Sequence, residues 1–316
     1  MPVKKQAIGV IGLGIIGSRV AANLRRAGYD VWVWSRSPKS EPNFLSSAAE
    51  VAETADLLLV FVSDGPALIE VMRSMAPALA ARHLIVNHST IAPEEARQAS
   101  EIAAASSAGF LDAPFTGSRD AAAAGQLVYY VSGTSEWIER ARPVLSASAK
   151  SIIEIGSEIG QASLVKIATN LIAAATVEAL AEAVALVDAN GISSGKFLEA
   201  FAEHGTRSGI ADMKLPGMIT GDFEPRFALK HMFKDIQLAL QAGQAADIDL
   251  PAAAATAGAL MAGIQRGWAD LDFSAVAQHY AFPGREPLVT NALASAAGDP
   301  GPKPKRFSLF GGTREP

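Results

Sequence analysis

Residues 7–34 read AIGVIGLGIIGSRVAANLRRAGYDVWVW. An apolar run ends in Gly12-Leu13-Gly14-Ile15-Ile16-Gly17, a helical pattern follows, and VWVW closes the unit. A lone GxGxxG is weak and also fits a glycine-rich structural turn. Between a strand and a helix, with another strand behind, it has the context of a dinucleotide-binding turn. Gly12 permits the tight turn, Gly14 lets the backbone approach a pyrophosphate, and Gly17 packs helix on strand. The helix N-terminus adds N–H donors and positive dipole. The cofactor candidates here are Gly12, Leu13, Gly14, Ile15, Ile16 and Gly17.

The end of the second strand selects the dinucleotide. An NAD site places Asp or Glu there to bond the ribose hydroxyls. This chain has Ser35 in that place, then Arg36, with Lys39 nearby. No carboxylate repels a 2′-phosphate, and a guanidinium is available to bind one. NADPH is therefore favoured over NAD, with a solvated surface role for Arg36 as the competing reading.

Outward from this unit, short apolar runs at 57–62, 84–88, 109–114 and 126–133 alternate with helical patterns. Such alternation implies right-handed crossovers and a mostly parallel sheet. After about residue 160 no strand pattern remains. Ala- and Leu-rich helical stretches follow near 162–190, 194–204, 227–246, 251–266 and 272–281. The fold class is α/β: a Rossmann-type dinucleotide-binding domain (1–162), then an all-α substrate and oligomerisation domain (163–298), joined by a long interdomain helix. Residues 299–316 read as a disordered tail. Docking through Phe307, Leu309 and Phe310 is the sharper alternative.

Composition narrows the chemistry. The 316 residues are 49% hydrophobic and 19% charged, with net charge −5, so nothing marks a nucleic-acid or membrane-surface binder. With no cysteine, disulfides, iron–sulfur clusters and thiolate zinc sites are excluded. The five scattered histidines form no metal-ligand pair, so no metal is expected. The aliphatic run LLLVFV at 57–62 is too short to span a bilayer. The glycines of MPVKKQAIGVIGLGIIG, and the polar segment after it, argue against a signal peptide. A soluble cytoplasmic protein is expected.

One polar pair stands out. GQASLVKIATN (160–170) opens the longest helical pattern, and Lys166 is its only charge between Gln161 and Val177. Asn170 lies on the same face one turn on. An ammonium in an apolar cleft suits proton donation to a forming alkoxide, because burial lowers its pKa. A snorkelling lysine fits the same pattern. The short-chain reductase alternative fails, since none of the four tyrosines has a lysine four residues on.

Five motifs in order then carry a resemblance: residues 8–36; VSD at 62–64 with HSTI at 88–91; LDAPFTGSRDAAAAGQLVYYVSG at 111–133; GQASLVKIATN; and FALKHMFKDIQLAL at 227–240. Over roughly residues 6–285 the chain resembles the β-hydroxyacid dehydrogenase family, most closely its glyoxylate/succinic semialdehyde reductase branch. The resemblance implies that Lys166 is catalytic and that Asn170 and Asp235 bind substrate. It implies that Thr116-Gly117 and Ser118 bind the substrate carboxylate, where relatives read D-A-P-V-S-G. Val62, Ser63, Thr90 and Lys234 would contact the cofactor. Phe115 and Thr116 depart from the usual Val and Ser, which suggests a tighter pocket. Ile16 replaces the Met of many relatives. Further pocket residues are expected near Arg207-Ser208 and Lys214. The implied function is NADPH-dependent reduction of a small carboxylate-bearing aldehyde, in a homodimer or homotetramer. An NAD-dependent 3-hydroxyisobutyrate-type dehydrogenase, an imine reductase and a non-catalytic dinucleotide-binding scaffold are the alternatives. Lys166 argues against the last two.

Overall fold

The computed structural model describes residues 6–280. The tail from 299 and the expected end of the helical domain lie outside them. The first unit is β1 (Ala7–Ile11), α1 (Gly17–Arg26) and β2 (Asp30–Trp34). Next come α2 (Ala48–Thr54), β3 (Leu57–Val60), α3 (Gly65–Met75), β4 (Leu84–Asn87), α4 (Pro93–Ala104) and β5 (Gly109–Asp112). The sheet domain ends with β6 (Phe115–Thr116), α5 (Arg119–Ala123), β7 (Leu127–Ser132), α6 (Ser135–Ser146) and β8 (Ala149–Gly156).

The eight strands form one sheet in the order β2-β1-β3-β4-β5-β7-β6, with β8 also paired to β7. The pairs from β2 to β5 are parallel, as is β7 with β8; β7 runs antiparallel to β5 and β6. Strands β3, β4 and β5 are buried throughout, as expected of strands covered on both faces. Side chains alternate between two cores. Leu57 and Leu59 join α1 and α6 on one face, and Leu58 and Val60 join α2, α3 and α4 on the other.

Helix α7 (Gln161–Ala189) leaves the sheet and crosses into the second domain. At 1.5 Å per residue it is about 44 Å long. From Ala174 onward its buried side chains form the second core with α9 (Gly209–Thr220), α10 (Leu229–Ala245), α11 (Pro251–Gln265) and a 3₁₀ segment, Phe273–His279. Helix α8 (Ser194–Ala202) packs on α7 from outside. Among the described residues α7 is the one helix long and apolar enough to cross a membrane, with mean hydropathy 1.7. No unbroken aliphatic run marks α7; its hydropathy comes largely from its many alanines. A helix threading a protein core meets the same test.

Lys214, sought as a pocket residue, is instead buried in a structural ion pair. Its Nζ lies 2.8 and 2.7 Å from the two carboxylate oxygens of Asp272. Asp272 also accepts from the N–H groups of Arg226 and Phe227 at 3.1 and 3.2 Å, which sets the chain entering α10. Ser208 caps α9, and Arg207 pairs at the surface with Asp212 at 2.9 Å.

Candidate active site

The turn after β1 is shaped by what a side chain would strike. Gly12 has φ +96°, and a Cβ there would lie 1.9 Å from the Phe61 carbonyl oxygen. At Gly17 a Cβ would lie 2.0 Å from the Gly12 carbonyl oxygen. A Cβ at Gly14 would meet nothing within 4 Å, so that side of the turn is open to a ligand. Helix α1 starts at Gly17 with no side-chain cap, so the positive end of its dipole lies at the turn. Ile15 is exposed and Leu13 buried, with Ile16 half-buried beneath the turn. The cradle fits a pyrophosphate.

Beyond β2, the Ser35 hydroxyl donates to the Ser37 carbonyl at 2.6 Å. Lys39 folds back and donates to the Leu13 carbonyl at 2.5 Å. Arg36 is exposed and makes no hydrogen bond or ion pair among the described residues. Across the cleft, Val62 N–H donates to Ser89 Oγ at 3.1 Å, and Ser63 donates to Asp64 at 2.6 Å. Burial alone would raise the Asp64 carboxyl. The Ser63 hydroxyl, the Ala67 N–H and the charges of Lys234 and Arg36 outweigh it and hold Asp64 low.

The interdomain helix supplies the second half of the site. Lys166 Nζ donates to Asn170 Oδ1 at 2.8 Å, and Asn170 Nδ2 donates to Asp235 Oδ2 at 2.5 Å. Lys234 Nζ stands 2.9 Å from Asp235 Oδ1 and donates to the Thr90 carbonyl. Thus α7, α10 and the loop after β4 meet in one polar network. Lys166 is 8% exposed and Asp235 1%. Burial brings the Lys166 ammonium down to about 8; Asp235 opposes that fall and Lys234 adds to it. Lys166 spends one of three N–H bonds on Asn170, leaving donors for a ligand.

The turn after β5 carries the other candidates. Phe115 faces the core, its ring 6.2 Å from Phe61 and 6.3 Å from Tyr129. The ring of this larger residue packs, partly buried, on the core of the sheet domain. Thr116, next along the strand, faces the opposite side. Gly117 has φ +141°, which only glycine adopts readily, and a Cβ would lie 2.8 Å from a Leu127 methyl. Ser118 Oγ accepts from Ala121 N–H at 3.2 Å and caps α5, keeping its own proton to donate. None of the described hydrogen bonds joins this turn directly to Lys166 or Asn170.

Residues 7–156 match the family described as the NAD binding domain of 6-phosphogluconate dehydrogenase. Residues 160–280 match the one described as NAD-binding of NADP-dependent 3-hydroxyisobutyrate dehydrogenase. A glyoxylate/succinic semialdehyde reductase 2 (chloroplastic) of Arabidopsis thaliana is 31% identical over 280 residues, 85% of this chain and 78% of the relative. The protein belongs to the β-hydroxyacid dehydrogenase family. The 2-hydroxy-3-oxopropionate reductase of Escherichia coli K12 is 30% identical, over 86% of this chain and 96% of that one. A solved 3-hydroxyisobutyrate dehydrogenase from Mycobacterium tuberculosis with L-serine superposes with TM-score 0.80 at 28% identity, covering 87% of this chain and 99% of that one.

As a β-hydroxyacid dehydrogenase the protein is an oxidoreductase with NAD(P)-binding domains. Sequence reasoning missed three residues beside its site. Asp112, Ser163 and Ser132 are buried and bonded across the start of α7. The only signal was an aspartate closing an otherwise apolar strand.

Proposed function

We propose that the protein reduces small carboxylate-bearing aldehydes, such as glyoxylate or succinic semialdehyde, to hydroxy acids with NADPH. The observation that carries this reading is the buried Lys166–Asn170–Asp235 network. Its ammonium titrates at about 8, low enough to release a proton near neutral pH. The reduced nicotinamide, when bound, supplies a hydride to the carbonyl carbon. The Thr116 hydroxyl and the Gly117 N–H hold the carboxylate. Lys166 donates the proton that the oxygen needs as it gains charge. Asn170 fixes the lysine's direction, and Asp235 balances its charge.

An NADPH-oxidation screen over glyoxylate, succinic semialdehyde, methylmalonate semialdehyde and tartronate semialdehyde tests this. Turnover of at least one is expected; no turnover of any overturns it. The second reading, an NAD-dependent 3-hydroxyisobutyrate-type oxidation, is favoured by the likeness to the M. tuberculosis enzyme. Arg36 separates the two. Its exposed, unpaired guanidinium next to Ser35 suits a 2′-phosphate. Arg36→Ala should raise KM for NADPH about tenfold to a hundredfold, the worth of a charged hydrogen bond, and leave KM for NADH nearly unchanged. Equal effects on both would remove the NADPH assignment.

Assembly as a homodimer or homotetramer belongs to the same reading. Leu164, Ile172 and Leu186 are exposed and fall on one side of α7, a stripe suited to a second copy. A soluble cytoplasmic setting accords with the Lys166 network, which buries polar groups near the start of α7 against α10.

A further inference from the structure

Helix α7 begins without a cap of its own. Its N-cap is Gly160, which offers no side-chain acceptor. The acceptors come instead from the sheet. Ser132, ending β7, takes the Ala162 N–H at 3.1 Å. Asp112, ending β5, takes the Ser163 N–H at 2.8 Å and the Ser163 hydroxyl at 2.9 Å. Asn87, ending β4, donates to the same carboxylate at 3.3 Å. Asp112 and Ser163 are both 0% exposed. A carboxylate is favoured at a helix N-terminus. Burial still pushes Asp112 up to about 6, against the donors of Ser163, Asn87 and Gly160, so at neutral pH it remains largely ionised.

These bonds lie between the two halves of the site. Ser163 is three residues before Lys166, and Asp112 is four residues before Thr116. The route from proton donor to carboxylate turn therefore runs along one turn of α7, across the Asp112–Ser163 bonds, and out along the chain after β5. Nothing else among the described hydrogen bonds spans that gap so directly.

We infer that Asp112 is a positioning residue: by gripping Ser163 it sets where α7 starts on β5, and hence the distance from Lys166 Nζ to the Thr116-Gly117 turn. The inference rests on the reading that these two groups serve proton donation and carboxylate binding. It predicts a particular kind of damage. The dinucleotide turn is built on β1 and α1, away from the clamp, so cofactor affinity should survive. Aligning the aldehyde between cofactor and lysine should not.

The test uses the full chain and an aldehyde found active in the screen. Asp112→Asn should lower kcat by about 10²-fold, the scale of an ångström-level misplacement, with the NADPH Kd from nicotinamide fluorescence nearly unchanged. Ser163→Ala, a smaller deletion, should lower kcat about twofold to tenfold, the worth of one hydrogen bond. In both, the fall of kcat with rising pH, near pH 8 in the parent, should move toward the lysine's ordinary 10.5 as Lys166 loses its enclosure. A merely structural clamp would lower the melting temperature and leave that limb in place. If Asp112→Asn does not fold, Ser163→Ala decides. Unchanged kcat and pH limb in Ser163→Ala overturn the inference, as does parallel loss of kcat and NADPH affinity. Lys166→Ala in the same assay keeps the two ideas apart. Turnover surviving in it removes the underlying reading. An inactive Lys166→Ala beside fully active clamp variants removes only the positioning role.

Discussion

Replacing Lys166 with alanine is expected to cut kcat for aldehyde reduction by about 10²–10⁴-fold, the usual contribution of a positioned general acid. NADPH should still bind, because the glycine turn and Arg36 lie on other elements. The direction of the pH effect follows from the same group. Lys166 titrates at about 8, and only its protonated form donates. Reduction should therefore hold a plateau below that pH and fall as pH rises through it. Oxidation of the hydroxy acid, which needs the neutral amine as base, should rise over the same range. Arginine would keep the charge without restoring activity, since its guanidinium does not release a proton in this range. Stopped-flow NADPH oxidation with a parallel fluorescence titration separates chemistry from binding. Near-parental turnover in Lys166→Ala would sink the role.

The first unit and the buried strands were legible because their physics is local. Fully covered strands read as unbroken apolar runs, and a glycine turn between strand and helix has few other uses. Strand β8 was not legible. Its sequence AKSIIEIG leaves Lys150, Ser151 and Glu154 in solvent, and its place comes from pairing with β7 rather than from its own pattern. Helix α9 was hidden by Pro216 and Gly217 inside it, and tertiary packing overrides both. At the candidate site, Lys166 and Asn170 announced themselves as a polar pair one turn apart. Their third partner did not. Asp235 lies 65 residues from Asn170 and entered only through the family resemblance. Asp112 meets Ser163 from 51 residues away, and its place at the end of an apolar strand does not reveal that partner. Lys214 looked like a pocket lysine for the same reason: its partner stands 58 residues on.

That misreading identifies where the helical domain is most easily broken. Lys214 and Asp272 are each 4% exposed, with Lys214 also 4.5 Å from the centre of the Phe273 ring. Beyond the lysine, the Asp272 carboxylate takes the N–H groups of Arg226, Phe227 and Ser274 and the Ser274 hydroxyl. Asp272→Ala leaves a buried ammonium and several donors unpaired at once. Breaking a buried pair from one side costs about 3–5 kcal/mol, which for a chain of this size corresponds to a melting temperature lower by about 6–20 °C. Burial would raise the Asp272 carboxyl, but Lys214 and Ser274 outweigh it, so its folded pKa lies below the ordinary 3.8. A depressed carboxylate stabilises above its unfolded pKa and loses that contribution as pH falls through the folded one. The parent should therefore lose stability only in strong acid, and Asp272→Ala should lack that acid-dependent component. Replacing both residues with apolar ones of similar volume should recover part of the loss, since no charge is then stranded. Phe227 N–H, held by Asp272, leads into the helix bearing Lys234 and Asp235. Asp272→Ala should consequently lower kcat even at temperatures where it stays folded. Calorimetry and kinetics on the single and double variants check both effects. A single variant melting within about 2 °C of the parent would mean that the pair contributes little to the helical domain's stability.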